Sequence, residues 1–478
     1  MAWGSGTFNS CEKLLERVEK NDPTLKELVI LPMKSFGAKE IERLSNAIEN
    51  GVNTHLVSIS ASGHKLPPES LKAFGTALSA QAKTQQQQQV DTKIGIKSLA
   101  IGSKDMGDEG VIALCQGLAS SNGALLQHLD LGWKEMKKDG LYEIGKTFAC
   151  SKHLSRLDLS RNDFGSDGVI HLNSALESIE SLDNVVAFPA LEQLILSECN
   201  IDSKGIDTLA EMLMGNHDTR RSKRIHLAIG SNAIGSAGCH ALAKMLSSSC
   251  AGEGEGSIIS HLQAAECTIG DDGIKILSSG CHQQVETMDI SDNEITKIGA
   301  DSLAQSLLKN AWPDLVELKL AKNTLGSGGI ATILESLANA QNSSLKSLDL
   351  SYTKCGAEGA KAALMKGNLQ NLRLFGNKIG TIGFDAIAPL LQGGHPNIIN
   401  LDLGGNDAEE DSVVRLLDSI AEKKEDTFQS KLELLEIGGN KFGDKAMEAL
   451  TRLKSVWPEL DVAHDKPVGE SGWQDSDQ

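Results

Sequence analysis

The sequence is poor in aromatic residues, with ten Phe, five Trp and two Tyr making up 4% of 478 positions. Large single cores draw heavily on such rings, so a chain built on Leu, Ala and Gly suits thin layers that each pack on the next. No apolar run approaches the ~20 residues that a membrane helix requires, and the opening MAWGSGTFNSCEKLLERVEK has no basic-then-apolar signal pattern. These omissions lead us to expect a cytoplasmic protein with no membrane partner. Basic residues number 46 against 64 acidic ones, a net charge of −18, which argues against general binding to nucleic acid. The nine cysteines are an odd number with no CxxC pair, so neither a disulfide framework nor a zinc site is expected, and the thiols read as buried apolar groups. Ser-His-Asp spacing, a phosphate loop and metal-ligand patterns are missing too; no catalytic residue, cofactor or metal is expected.

What the chain does have is a repeated unit, clearest in LSRLDLSRNDFGSDG from Leu154 to Gly168. Leu154, Leu157, Leu159 and Asn162 spell LxxLxLxxN. Leu157 and Leu159 belong on one face of a short strand and Asp158 on the other. Asn162 ends the strand, where its amide can satisfy main-chain groups left unpaired by the turn. Gly165 and Gly168 follow in a connection that needs positive φ or close backbone approach. A helix comes next, as in GCHALAKML with Leu242, Ala243 and Leu246 at helical spacing.

The Asn position recurs as Lys104, Lys134, Asn162, Cys199, Asn232, Cys267, Asn293, Asn323, Thr353, Asn377, Asn406 and Asn440, and with two earlier degenerate units this makes about fourteen repeats. Six residues beyond the first ten stands a glycine, from Gly110 to Gly383, which the last two units replace with Ser412 and Ala446, and two beyond stands an apolar or small residue such as Met106, Phe164, Ile269 or Ile379. The expected organisation is a capping helix in 1–24, with Asn9 as its N-cap; a solenoid in 25–460; and a flexible tail in 461–478. Within the solenoid, degenerate repeats fill 25–84, a polar Gln loop 85–89 and regular repeats 96–460. Insertions at Glu180–Pro189, Gly215–Lys223, Ser247–Ser257 and Glu422–Ser430 all fall between a helix and the next strand. Pro389 inside DAIAPLLQ should shorten its helix.

The period of mostly 24 to 37 residues, the Asn or Cys ladder and the xIGxxG helix start resemble the ribonuclease-inhibitor type of leucine-rich repeat over roughly residues 25 to 460. That resemblance implies an α/β horseshoe with a concave parallel sheet inside and helices outside. A narrower resemblance lies in LLERVEKNDPTLKELVI and LSNAIENGVNTHLVSISASG, which look like the opening of the tropomodulin and leiomodin repeat domain over about the first 80 residues. It implies actin as a protein partner and a cytoskeletal association.

Candidate binding residues are those that the repeat itself does not explain. Lys319, Lys322, Tyr352, Arg373 and Phe375 set three cations beside two aromatics on adjacent repeats of an acidic protein. Trp133, Arg156 and Arg161 form a smaller group, and Asp130, Asp158, Asp289, Asp349, Asp402 and Glu436 form an acidic stripe between the core leucines. His128, His226 and His261 share one strand position and read as solvated surface residues. The RRSKR run at Arg220–Arg224 reads as a basic loop, with a nuclear signal as the alternative. The leading expectation is a monomeric, non-catalytic interaction scaffold. Its alternatives are a GTPase-activating regulator resembling the Ran GTPase-activating proteins and a sensor or inhibitor like the repeat regions of innate immune receptors.

Overall fold

The computed structural model describes residues 10–51, 54–88, 95–179, 186–215, 223–247, 257–340, 344–365, 369–422 and 430–465. The chain divides into two compact units, 1–234 with 258–263, and 235–257 with 264–478. In the first, strands β1 (Glu27–Val29), β2 (Ser58–Ser62), β3 (Ser98–Gly102), β4 (His128–Asp130), β5 (Arg156–Asp158), β6 (Gln193–Ile195), β7 (Ile225–Ala228) and β8 (Ile259–Gln263) pair in sequence order. All of these pairs are parallel. Its helices are α1 (Glu12–Glu19), α2 (Ala38–Glu49), α3 (Pro68–Gln88), α4 (Gly107–Leu118), α5 (Lys138–Phe148), α6 (Gly165–Glu177) and α7 (Ser203–Met214).

The second unit holds α8 (Gly235–Leu246), α9 (Gly270–Leu277), α10 (Lys297–Leu308), α11 (Gly326–Asn339), α12 (Gly356–Met365), α13 (Gly380–Ile387), α14 (Glu410–Ala421) and α15 (Asp444–Val456). Its strands are β9 (Thr287–Asp289), β10 (Glu317–Lys319), β11 (Ser347–Asp349), β12 (Asn371–Arg373), β13 (Asn400–Asp402), β14 (Leu434–Glu436) and β15 (Asp461–Ala463), again parallel and in order. Each unit is therefore a leucine-rich-repeat solenoid of the expected α/β class. Among the described residues no helix is long and apolar enough to cross a membrane.

The repeat residues do what their chemistry requires. In each three-residue strand the central residue is buried while its neighbours are not, as in Arg156, Leu157 and Asp158. The Asn162 Oδ1 accepts the backbone N–H groups of Lys134 at 2.8 Å and Met136 at 3.1 Å, and Nδ2 donates to the carbonyls of Leu131 and Leu159. Asn232, Asn293, Asn323, Asn377, Asn406 and Asn440 repeat this arrangement one layer at a time. Cys199 substitutes a thiol that donates to the Leu159 carbonyl, and burial pushes its pKa up to about 12. The two glycines of the unit divide their reasons: Gly165 sits at φ +61, whereas a Cβ on Gly168 would lie 2.7 Å from the Phe164 side chain. The same crowding against the apolar residue recurs at Gly140, Gly205 and Gly273, which is why the two periodic signals travel together.

Several expectations change. Lys104, placed in the ladder, is exposed and opens a short 3-10 turn instead. The predicted Gln loop is helical as far as Gln88, in keeping with the good helix propensity of Gln. Asn9 lies outside the described residues; the N-cap is Cys11, and the Ser10 hydroxyl accepts the Glu12 N–H. The segment taken as a tail begins with β15, so fifteen strands stand where about fourteen repeats were expected, and 466–478 lie outside the described residues. Most of each insertion, and Arg220 to Ser222 of the RRSKR run, also lie outside them. Pro389 acts as expected: α13 ends at Ile387 and a 3-10 turn follows.

In the first unit α3 and α4 touch backbone to backbone, because Gly75 and Gly117 face each other. A Cβ on Gly75 would come 2.6 Å from the Leu114 carbonyl oxygen, and one on Gly117 would overlap that of Lys72. Neither neighbour is a flexible side-chain tip, so the helices would have to part. We expect Gly117→Ala to cost about 2–3 kcal/mol in chemical denaturation, and an unchanged midpoint would show that the helices slide freely.

Two buried histidines make stability depend on pH. His282 stacks on Trp312 with centroids 3.9 Å apart and donates from Nε2 to the Leu277 carbonyl at 2.7 Å, while its Nδ1 is buried with no hydrogen-bond partner among the described residues. His395 uses Nδ1 as an acceptor for the N–H groups of Ile398 and Asn397. Burial lowers both pKa values. The unfolded chain therefore binds these protons first as pH falls below about 6.5, so stability is full above that value and declines beneath it. The melting temperature should drop more steeply between neutral pH and pH 5 in wild type than in His282→Phe, which keeps a ring on Trp312 but cannot protonate. Parallel slopes would refute the assignment.

Candidate binding face of the strands

The exposed positions of each strand line up by register. In the second unit Lys319, Asp349, Arg373, Asp402 and Glu436 become successive neighbours on β10 to β14. They line a cavity of about 410 Å³ together with Asn371 and Asn400, whose amides hydrogen-bond at 2.6 Å. In the first unit a cavity of about 360 Å³ is lined by Asp130, Trp133, Asp158, Arg161 and Glu198.

The acidic stripe has a structural job that the sequence reading missed. Asp130, Asp158, Asp289, Asp349 and Asp402 each accept the backbone N–H two residues on, at 2.9 to 3.1 Å. Asp158 and Asp349 also take the Ser160 and Ser351 hydroxyls at 2.6 Å. These bonds close the turn that ends each strand. The signal was present as Asp-x-Ser or Asp-x-Gly in all five repeats. Glu436 is the exception, one methylene too long, and makes no such bond among the described residues.

A second row lies just before each ladder residue, and its backbone is left-handed throughout. Trp133, Arg161, Glu198 and Ser231 in the first unit, and Glu266, Asp292, Lys322 and Tyr352 in the second, have φ between +53 and +59. The next layer holds the Trp133 N–H through the Ser160 carbonyl and the Tyr352 N–H through the Phe375 carbonyl, both at 2.8 Å. Gly376, Gly405 and Gly439 fill the equivalent positions in later repeats. Any residue other than Gly costs about 1–2 kcal/mol there. Bulky rings are unusual in this conformation, yet Trp133 and Tyr352 are 55% and 50% exposed.

The predicted cationic and aromatic residues therefore divide. Tyr352 and Phe375 meet edge to face with centroids 5.4 Å apart, Tyr352 lying over Gly376 and Phe375 over Gly404 and Gly405. Arg373 is exposed and, among the described residues, makes no ion pair. Lys319 reaches toward Glu317 at 3.6 Å. Lys322 turns away from Tyr352 to Asp292, at 3.4 Å. In the first unit Lys104 lies over the Trp133 ring at 5.8 Å, Arg161 pairs with Glu198 at 2.9 Å, and Arg156 bridges Gln193 and Asp158. His226 and His261 are register neighbours with ring centroids 5.2 Å apart, and burial, followed by the nearby His261, lowers the pKa of His226. His128 is exposed on β4.

A family model described as Leucine Rich repeat matches residues 150–172, 341–362 and 429–450. The chain is similar to the ribonuclease inhibitor of Mus musculus, 27% identical over 270 residues, which is 51% of this chain and 56% of that protein. It is also similar to NACHT, LRR and PYD domains-containing protein 5 of Homo sapiens, 26% identical over 282 residues, 53% of this chain and 22% of that protein. The chain thus matches little more than half the length of the first relative and about a fifth of the second. Among solved structures, an internalin of Listeria monocytogenes aligns over 94% of this chain and 88% of its own with a TM-score of 0.38 and 14% identity. The repeats and the sequence relatives support a leucine-rich-repeat protein of the ribonuclease-inhibitor type.

Proposed function

We propose that this chain is a non-catalytic scaffold that binds a protein partner on the open face of its strands, with the groove and rim of the second unit as the principal contact. The observation that carries this reading is Tyr352: a large ring, half exposed, in a left-handed conformation that glycine fills without strain in the repeats that follow. Strain of this kind persists where a side chain is wanted for something other than folding. Nearby stand the Arg373 guanidinium, which makes no ion pair among the described residues, and the ring of Phe375, and aromatic and Arg residues dominate binding hot spots. Trp133 with Arg161 is the corresponding feature of the first unit. The name of the ribonuclease inhibitors, to which about half of the chain is similar, states an action on another protein and supports the same reading.

Affinity purification with mass spectrometry on wild type and on a Tyr352→Gly/Arg373→Ala variant tests it. A partner retained by wild type and lost by the variant is the expected result; identical partner sets sink the reading. Actin is the most specific partner to test by name, on the strength of the tropomodulin-like opening, and co-sedimentation with filaments at micromolar protein decides it. A sensor role is the second reading, favoured by the similarity to the NACHT, LRR and PYD domains-containing protein.

A further inference from the structure

The row across the second unit's groove is a sequence of charges: Lys319 positive, Asp349 negative, Arg373 positive, Asp402 negative, Glu436 negative. Three of these positions, Arg373, Asp402 and Glu436, make no ion pair among the described residues. Arg373 has no ion pair among the described residues, although its register neighbours are Asp349 and Asp402. Asp349 takes the Ser351 N–H and hydroxyl on one oxygen and makes no ion pair with Arg373. On the other side Asp402 and Glu436 stand next to each other on β13 and β14 with no cation in ion-pair range among the described residues. Asp402 gives one oxygen to the Gly404 N–H and keeps the other. Burial raises its pKa and the neighbouring Glu436 adds to the rise, while the Gly404 N–H and the charge of Arg373 oppose it.

Resting on the binding reading above, we infer that this groove takes an extended peptide segment of the partner, laid across the strands, that carries an acidic and a basic residue two positions apart. The argument is one of spacing. Neighbouring strands lie about 4.8 Å apart, so the gap between Asp402 and Glu436 is about one and a half spacings, or ~7 Å, from Arg373. Side chains i and i+2 of an extended chain share a face and repeat at about 6.7 Å. An acidic side chain on the Arg373 guanidinium therefore sets the basic one between the two carboxylates, where it relieves their repulsion. Residues i and i+1 point to opposite faces, as do i and i+3, so neither pair can fill both positions. Either chain direction satisfies the match, so spacing, and not order, is the recognition feature. The T-shaped pair of Tyr352 and Phe375 borders the same groove at the ends of β11 and β12.

The test uses the full chain and fluorescein-labelled peptides of a single composition in which one Glu and one Lys are placed adjacent, two apart or three apart, read by fluorescence anisotropy up to millimolar protein. The peptide with the pair two apart should bind at least about fivefold more tightly than the others. Arg373→Glu, at an exposed position, should abolish that preference and favour a peptide with two Lys at the same spacing. Equal affinities across the spacings, or no binding by any peptide, overturns the inference. Its failure is separable from that of the binding reading: a partner lost with Tyr352→Gly/Arg373→Ala alongside indifferent peptides removes only the peptide, whereas identical partner sets remove the site itself.

Discussion

Asn377→Ala is expected to destabilise the second unit by about 3–5 kcal/mol, more than any other single change considered for this chain. The side chain is fully buried and serves two repeats at once. Its Oδ1 accepts the Thr353 and Cys355 N–H groups at 2.9 and 3.1 Å, and its Nδ2 donates to the Leu350 carbonyl at 2.7 Å. Alanine would leave the two buried N–H groups with neither water nor protein to bond, at about 1–3 kcal/mol per group before relaxation, while the Leu350 carbonyl keeps the Thr353 hydroxyl. Chemical denaturation gives the magnitude. Hydrogen exchange at the Thr353 and Cys355 amides gives the location, which matters because repeat arrays do not always unfold in one step. Asn377→Thr should cost roughly half as much, since Thr353 fills the same ladder position one repeat earlier with a buried hydroxyl that donates to the Leu350 carbonyl of its own repeat. A loss under about 1 kcal/mol for the alanine variant would mean that the ladder is not what holds neighbouring layers in register.

The ladder was legible in the sequence because each member must be a small polar group at a fixed distance from two leucines, and that demand leaves little choice of residue. The glycine six positions on was legible for the same reason: no Cβ fits beside Phe164 or Ile269. Lys104 failed because a count of positions cannot tell a buried amide from an exposed ammonium when the turn changes type. β15 was missed because Asp461, Val462 and Ala463 offer one apolar residue to the core and no leucine pattern.

At the candidate site the residue types were legible and their directions were not. Lys322 and Tyr352 occupy the same repeat position, so sequence alone puts them side by side; the structure turns the lysine to Asp292 of the preceding repeat. The aspartates of the acidic stripe looked like a surface waiting for a basic partner, and that meaning weakened once the N–H two residues on was found on one oxygen of all five. Asp402 keeps part of it, because Glu436 beside it has no backbone bond to make.

Tyr352→Gly combined with Arg373→Ala should weaken binding of the natural partner by about 2–4 kcal/mol, roughly 30- to 1000-fold, with the melting temperature nearly unchanged. The stability half of that statement depends on the choice of glycine. Removing the ring gives up its contacts with Phe375 and Gly376, worth about 1 kcal/mol for a half-buried side chain. Glycine recovers a similar amount because φ +57 carries no penalty without a Cβ. Alanine loses the ring and keeps the strain. Tyr352→Ala should therefore be less stable than Tyr352→Gly by about 1 kcal/mol, while the two bind equally poorly. That ordering separates the two roles the residue can have. If the tyrosine is there to hold the repeats together, both variants lose stability and binding falls in proportion. If it is there for the partner, glycine leaves a fold as stable as wild type that no longer binds.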